Sequence, residues 1–241
     1  MTVVAGTLDV VHRLMAEKPA FHRNGAACRG ALPGALAFLA ASVRDRDVTL
    51  EVGAGLSTVV FAAAGSRHTV ISPDAAEHRL IRAYCDRAGI DHSGVRFIAG
   101  GSEDVLPGIL GHDRTLDLAW IDGAHSYPSP VTDWFYVTRA LKTGATLVMD
   151  CIYVPSVGQA VRHMQLEPNW RLDTILDDRT AAFTMLAPPG QRDDWKRQPF
   201  NRAYPDFAFA GLMRRPWLRA RWRARGVHND LSRRFPGLRR L

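Results

Sequence analysis

The sequence is poor in the features that mark membrane-spanning or disulfide-framed proteins. Its 241 residues contain no apolar run of about 18 residues, the length a spanning helix requires, so no membrane span is expected. The first residues, among them Thr2, Thr7 and Asp9, lack the charged-then-apolar layout of a signal peptide, and none is expected there. Cysteine is scarce: Cys28, Cys85 and Cys151 are odd in number and far apart. That spacing argues against a disulfide framework and for free thiols in a reducing cytoplasm. A net positive charge is missing from most of the chain, despite a formal net charge of +7. Between Arg214 and Leu241 ten arginines face one acid, Asp230, so the residues before them are slightly acidic as a whole. A body of that charge does not suggest a polyanionic substrate, whereas a basic tail suggests an attachment device.

What is present fits one α/β domain with additions, with a hydrophobic share of 46% that can supply a full core. Strand-like runs at 48–52, 68–71, 95–99, 116–121 and 145–149 alternate with helical runs near 57–64, 75–88, 102–110, 129–141 and 156–166. The second of these helices is punctuated by Asp74 as N-cap, Glu77 as capping-box partner and Gly89 as stop. Such alternation predicts a parallel sheet with helices on both faces. The pattern then changes to two strands, 170–176 and 180–187, joined by Asp177-Asp178-Arg179 and read as an antiparallel hairpin at the sheet edge. Residues 1–47 read as a helical cap with a helix opening at Pro33-Gly34, 48–190 as the main domain, and 191–241 as a basic extension; no internal repeat is visible.

The most informative stretch is Leu50-Glu51-Val52-Gly53-Ala54-Gly55-Leu56-Ser57-Thr58, a strand end, a glycine turn and a helix start. This arrangement brings backbone N–H groups and bare Cα atoms close to a nucleotide-like ligand. It departs from the dinucleotide fingerprint, because Thr58 stands at the third-glycine position and acidic Glu51 lies inside the strand end. Glu-x-Gly-x-Gly at the end of a first strand resembles the first motif of Rossmann-like, class I S-adenosylmethionine-dependent methyltransferases. In open parallel sheets ligands sit at the carboxyl ends of the strands, so the residues after each strand carry the rest of the argument. Gly100-x-Ser102-Glu103-Asp104-x-Leu106-Pro107 resembles the adenine-contacting turn of the catechol and caffeoyl-CoA O-methyltransferases. Ile121-Asp122-Gly123-Ala124-His125-Ser126-Tyr127 is similar to the Asp-Gly-x-His segment of macrocin-type sugar O-methyltransferases. The resemblance spans residues 20–187 or so and implies a doubly wound, mostly parallel seven-stranded sheet with an antiparallel last strand.

The resemblance also implies roles. Glu51, Gly53, Gly55, Ser57 and Thr58 would surround the methionine part of S-adenosyl-L-methionine, and Ser102 and Glu103 would border its adenine. The ribose acid is expected at the end of the second strand, where the candidates are Ser72 and Asp74. Asp122 would contact the cofactor and act in catalysis with His125, the general base, and Asp122 and Asp150 would hold Mg²⁺. Methyl transfer from a sulfonium to an alcohol or phenol needs that oxygen deprotonated and aligned. Imidazole suits the proton transfer, and Mg²⁺ can lower the hydroxyl pKa. Cys151 stands where the metal-dependent relatives carry Asn or Asp, and a thiol is a soft ligand ill matched to Mg²⁺.

Other readings stay open on sequence alone. Asp122 and Asp150 could be turn formers, Cys151 a small core filler, and Tyr127, Trp134 and Tyr153 either pocket walls or core. The expectation is a cytoplasmic O-methyltransferase for a small hydroxylated acceptor, a sugar or a phenolic. A non-catalytic relative that keeps the fold and an NAD(P)-binding reductase are the alternatives. For the Arg/Trp-rich stretch 214–241, an anionic membrane surface and an oligomer contact are weighed, with nucleic acid the less favoured partner.

Overall fold

The computed structural model describes residues 6–22, 31–111, 113–188 and 198–203. The tail expectation for 214–241 and the thiol Cys28 therefore lie outside the described residues. Seven strands, β1 (Val48–Val52), β2 (Arg67–Ser72), β3 (Val95–Ala99), β4 (Leu116–Ile121), β5 (Leu141–Met149), β6 (Trp170–Leu176) and β7 (Thr180–Met185), form one sheet in the order β3-β2-β1-β4-β5-β7-β6. All pairings are parallel except those of β7, which runs antiparallel to both β5 and β6. This is the Rossmann-like fold expected from the strand and helix alternation.

Strand periodicity explains the two cores. Along β4, Leu118 and Trp120 point to one face and Ala119 and Ile121 to the other, and all four are buried. A central strand covered on both sides reads as a near-continuous apolar run. One face packs against α1 (Thr7–Glu17), α2 (Pro33–Ser42), α3 (Leu56–Ala63) and α4 (Ala75–Ala88). The other packs against α5 (Ser102–Ile109), α6 (Ser129–Ala140) and α7 (Pro155–Leu166). Fully buried side chains such as Phe61, Leu50 and Leu106 each contribute about 1.5–3 kcal/mol relative to exposure. The first two helices pack on the sheet face that α3 covers, and the Tyr84 hydroxyl of α4 donates to Glu17 of α1 at 2.7 Å. A short helix, α8 (Pro199–Ala203), belongs to a separate unit.

Two local expectations are corrected. The fifth strand begins at Leu141, four residues before the predicted start, because buried Leu141 pairs with Leu116 across a register shift before the main ladder resumes at Thr146. Gly144, at φ 84°, supplies the irregular backbone that made this stretch read as a loop. Asp74 does cap α4, accepting from the Ala76 N–H at 2.8 Å. Glu77 does not complete a capping box; its carboxylate turns to Ser72 Oγ (3.1 Å) and His22 Nδ1 (2.7 Å).

The carboxyl ends of the central strands are tied to one another. The Gly53 N–H donates to Ile71 O, Asp122 N–H to Val52 O at 2.8 Å and Asp150 N–H to Ile121 O at 3.0 Å. Residues 53, 122 and 150 are thereby brought side by side at the top of the sheet, where the strand order reverses between β1 and β4.

Candidate active site

A cleft of about 410 Å³ opens at these strand ends, within the usual size of small-molecule sites. Its walls come from the glycine turn (Glu51, Gly53–Ser57), the end of β4 (Asp122, His125), the end of β5 (Cys151, Tyr153), and His22, Ala31 and Arg179.

The turn is built from below. On β1, Glu51 alternates with Leu50 and Val52 and so faces α3, where it is almost fully buried. Its carboxylate accepts from Ser57 Oγ and from Thr58 Oγ1 (2.6 Å), and it pairs with His68 Nε2 at 3.3 Å. Thr58 also accepts the Gly55 N–H at 3.0 Å. His68 stacks on Phe61 with ring centroids 4.1 Å apart and bonds Thr49 Oγ1 through Nδ1 at 2.9 Å. Buried polar groups tolerate such a place only when partnered, and here each one is. The third-glycine position is therefore a threonine whose hydroxyl locks the helix start onto Glu51. Gly53 sits at φ 93°, and a Cβ there would overlap the Asp122 carbonyl oxygen and come within 2.7 Å of its carbon. Only glycine lets β1 and β4 close this near to each other.

Of the residues read from sequence, Glu51, Gly53, Gly55, Ser57, Asp122 and His125 line the cleft. Thr58 is fully buried beneath it. Ser72 is buried with its hydroxyl given to Glu77, and Asp74 is occupied at the α4 cap. Ser102 and Glu103, at the start of α5, are off the cleft wall, Ser102 nearly buried and Glu103 exposed. Tyr153 lines the cleft, Tyr127 is exposed, and Trp134 packs edge-on to His163 at 4.9 Å.

Asp150 was expected to face a metal together with Asp122. It is instead taken by Arg179, whose Nε donates to Oδ1 at 3.2 Å and whose Nη2 donates to Oδ2, while Thr180 Oγ1 adds a further bond. The donors that converge are Asp122, His125 and Cys151, whose ligand atoms lie within 4.8 Å of one another. One carboxylate, an imidazole and a thiol do not suit Mg²⁺, which asks for an octahedron of oxygens. With the second carboxylate already neutralised by a guanidinium, these residues do not fit that ion. Cys151 is also no mere filler: it holds a left-handed backbone at φ 58°, and its sulfur lies 2.9 Å from Arg179 Nη2. Strained backbone of this kind gathers at functional sites.

Electrostatics sharpen the picture. Burial, then the nearby Asp150 charge, raises the Asp122 carboxyl well above its ordinary value, with Arg179 opposing. His125 Nε2 is 3.8 Å from Asp122 Oδ1. Burial works against the Arg179 charge, but the hydrogen bonds and charge of Asp150 outweigh it and hold the guanidinium protonated. His22 and Arg179, both on the cleft wall, and Glu77, bonded to His22, were not anticipated from sequence as site residues.

Just outside the cleft, Asp133 of α6 is fully buried, and neither oxygen makes a hydrogen bond among the described residues. Burial pushes its carboxyl up to about 6, and the nearby Glu103 charge acts in the same direction. The unfolded chain loses this proton near 3.8 and the folded one near 6, so stability falls as pH rises between those values and stays lowered above them. Asp133→Asn is expected to gain roughly 1–3 kcal/mol at pH 7.5 and far less at pH 4. Paired urea titrations of wild type and variant at the two pH values check this; an equal difference at both would refute it.

Residues 50–151 match the family described as methyltransferase domain. The likeness to that domain covers 102 of the 241 residues. Solved structures share the fold. An O-methyltransferase from Thermotoga maritima, described as SAM-dependent, superposes with a TM-score of 0.55 at 14% identity, over 76% of this chain and 73% of that one. A proposed O-methyltransferase from Klebsiella pneumoniae gives 0.54 at 22% identity, over 78% and 91%. The cofactor-bound Rv0187 of MTB gives 0.53 at 21%, over 76% and 88%. No curated protein sequence matches the chain. The cleft occupies the position where open α/β sheets place their ligands. Among the described residues no helix is long and apolar enough to cross a membrane.

Proposed function

We propose that this chain transfers a methyl group from S-adenosylmethionine to an oxygen of a small hydroxylated metabolite, a phenolic or a sugar. The observation that carries the reading is that one cleft joins the glycine turn of the methyltransferase domain to an acid–imidazole pair, Asp122 and His125. The residues present fit the cofactor: the glycine turn and the start of α3 line the cleft beside Glu51 and Ser57, where its amino-acid end would lie. Glu77, held between Ser72 and His22 at the end of β2, takes the place foreseen for Ser72 and Asp74 as the ribose acid. Ser102 and Glu103 remain the candidates for the adenine border.

Bound there, the cofactor supplies a methyl carbon whose bond to sulfur breaks as one to oxygen forms. His125 Nε2 takes the proton of the acceptor hydroxyl, and Asp122, 3.8 Å away, helps to orient the imidazole. The glycine turn and Tyr153 confine the acceptor, which supports an in-line approach.

Calorimetry decides between the rival cofactors. S-adenosylhomocysteine is expected to bind and NADH to give no heat; the reverse would overturn the proposal. A non-catalytic binding protein would bind S-adenosylmethionine yet release no S-adenosylhomocysteine with any phenolic or sugar acceptor.

A further inference from the structure

The sequence reads Arg179 only as a residue of the polar turn 177–179, and the methyl-transfer proposal leaves it without a task. It stands in the turn between β6 and β7, and its backbone is pinned on both sides. Its N–H donates to Leu176 O at 3.0 Å and its carbonyl accepts from Ile152 N–H at 2.9 Å. The turn itself is anchored to α2, because Asp177 Oδ2 accepts the Ala35 N–H at 2.9 Å. The guanidinium therefore reaches the cleft from a fixed base. One edge is held by Asp150 and Cys151, and among the described residues Nη1 donates to no protein group. The side chain is 18% exposed, and it lines the same cleft as His125 and Tyr153.

A fixed cation with unused N–H donors beside an imidazole is a recognition device for an anion next to a hydroxyl. The imidazole lies within 4.8 Å of Cys151 Sγ, and that sulfur is 2.9 Å from the guanidinium. One small molecule can touch both groups. Since Asp150 is already neutralised, the site has its cation built into the chain, which is the physical reason the donor set fits Mg²⁺ poorly.

We propose that Arg179 selects acceptors that carry a carboxylate close to the hydroxyl to be methylated, so that the substrate class is the small hydroxy acids and the site works without a divalent ion. This rests on the methyl-transfer reading above and narrows its acceptor. The carboxylate is held by Nη1 while the hydroxyl is presented to His125; no covalent step beyond the methyl transfer is added.

The test uses the full chain with and without saturating S-adenosylhomocysteine, whose own binding reports separately on the parent proposal. The probes are 3-hydroxybenzoate and its neutral, equally shaped partner 3-hydroxybenzamide, titrated by calorimetry. The acid is expected to bind about tenfold or more tightly than the amide. Arg179→Gln strands a buried carboxylate and risks misfolding, so the double variant Arg179→Gln/Asp150→Asn is measured alongside it, with melting curves for both. In a folded variant the preference should drop to within about twofold, a residue of less than the tenfold unit. Equal binding of acid and amide by the wild type, or binding of neither, overturns the proposal, as does a preference that survives the double substitution. Titration of MgCl₂ and of ZnCl₂ completes the set: a site for either ion tighter than about 0.1 mM would place a metal where the guanidinium is assigned.

Discussion

Gly53→Ala is expected to melt roughly 10 °C below the wild type and to bind S-adenosylhomocysteine at least about tenfold more weakly. Two effects add at this position. The residue holds φ 93°, a left-handed conformation that costs an L side chain on the order of 1–2 kcal/mol. The new methyl would also press on the Asp122 carbonyl, a backbone group bound into the β1–β4 junction through the Asp122 N–H to Val52 O bond. Such a neighbour cannot rotate away as a side chain tip could, so overpacking adds about 1–3 kcal/mol. The sum, roughly 2–5 kcal/mol, reaches the upper end of single-residue effects. Gly89→Ala separates the two contributions. It stands at φ 68° with nothing within 4 Å of the added carbon, so only the conformational part should be lost. If both variants melt together, the strand ends do not approach as closely as described.

The second large effect is catalytic. His125→Ala should lower kcat by about 10²–10⁴ while leaving S-adenosylhomocysteine affinity within about threefold. The imidazole lines the cleft and stands 3.8 Å from Asp122, and no other imidazole among the cleft-lining residues shares that position: His22 is engaged with Glu77. Methyl transfer from labelled S-adenosylmethionine to an acceptor found by screening reads the effect, with added imidazole as a rescue. Turnover retained within threefold would remove His125 from proton transfer. Loss of cofactor binding alongside turnover would instead mark it as a residue that shapes the pocket.

Much of the architecture was legible because it is encoded locally. Alternating apolar runs, the Asp74 cap, the Gly89 stop and the glycine turn each act within a few residues of themselves, and β1, β3 and β4 begin and end where the pattern predicts. The cleft was legible as far as its residues follow directly on a strand end, as Gly53, Gly55, Asp122 and His125 do. What escaped were partners joined only by tertiary structure. Arg179 meets Asp150, 29 positions earlier in the chain, through a hairpin whose inner strand must first lie against β5. Glu77 stands three residues after an N-cap, and local spacing favours the capping box; the imidazole of His22, 55 residues away in sequence, and the Ser72 hydroxyl draw the carboxylate off instead. Ser72, Thr58 and Ser102 carry hydroxyls at the expected places, but sequence does not say whether a hydroxyl turns to a ligand or to a neighbour. In this chain the Ser72 and Thr58 hydroxyls turn to the protein.

The insertion of β7 between β5 and β6 ties completion of the sheet to completion of the pocket. Until Thr180–Met185 has slotted in, β5 keeps a bare row of N–H and C=O groups, an open template for association with other chains. The same late segment delivers Arg179 to Asp150. A nascent polypeptide that has not yet presented this hairpin thus has both a sticky margin and a buried carboxylate without its counter-charge, and a single docking event cures both at once.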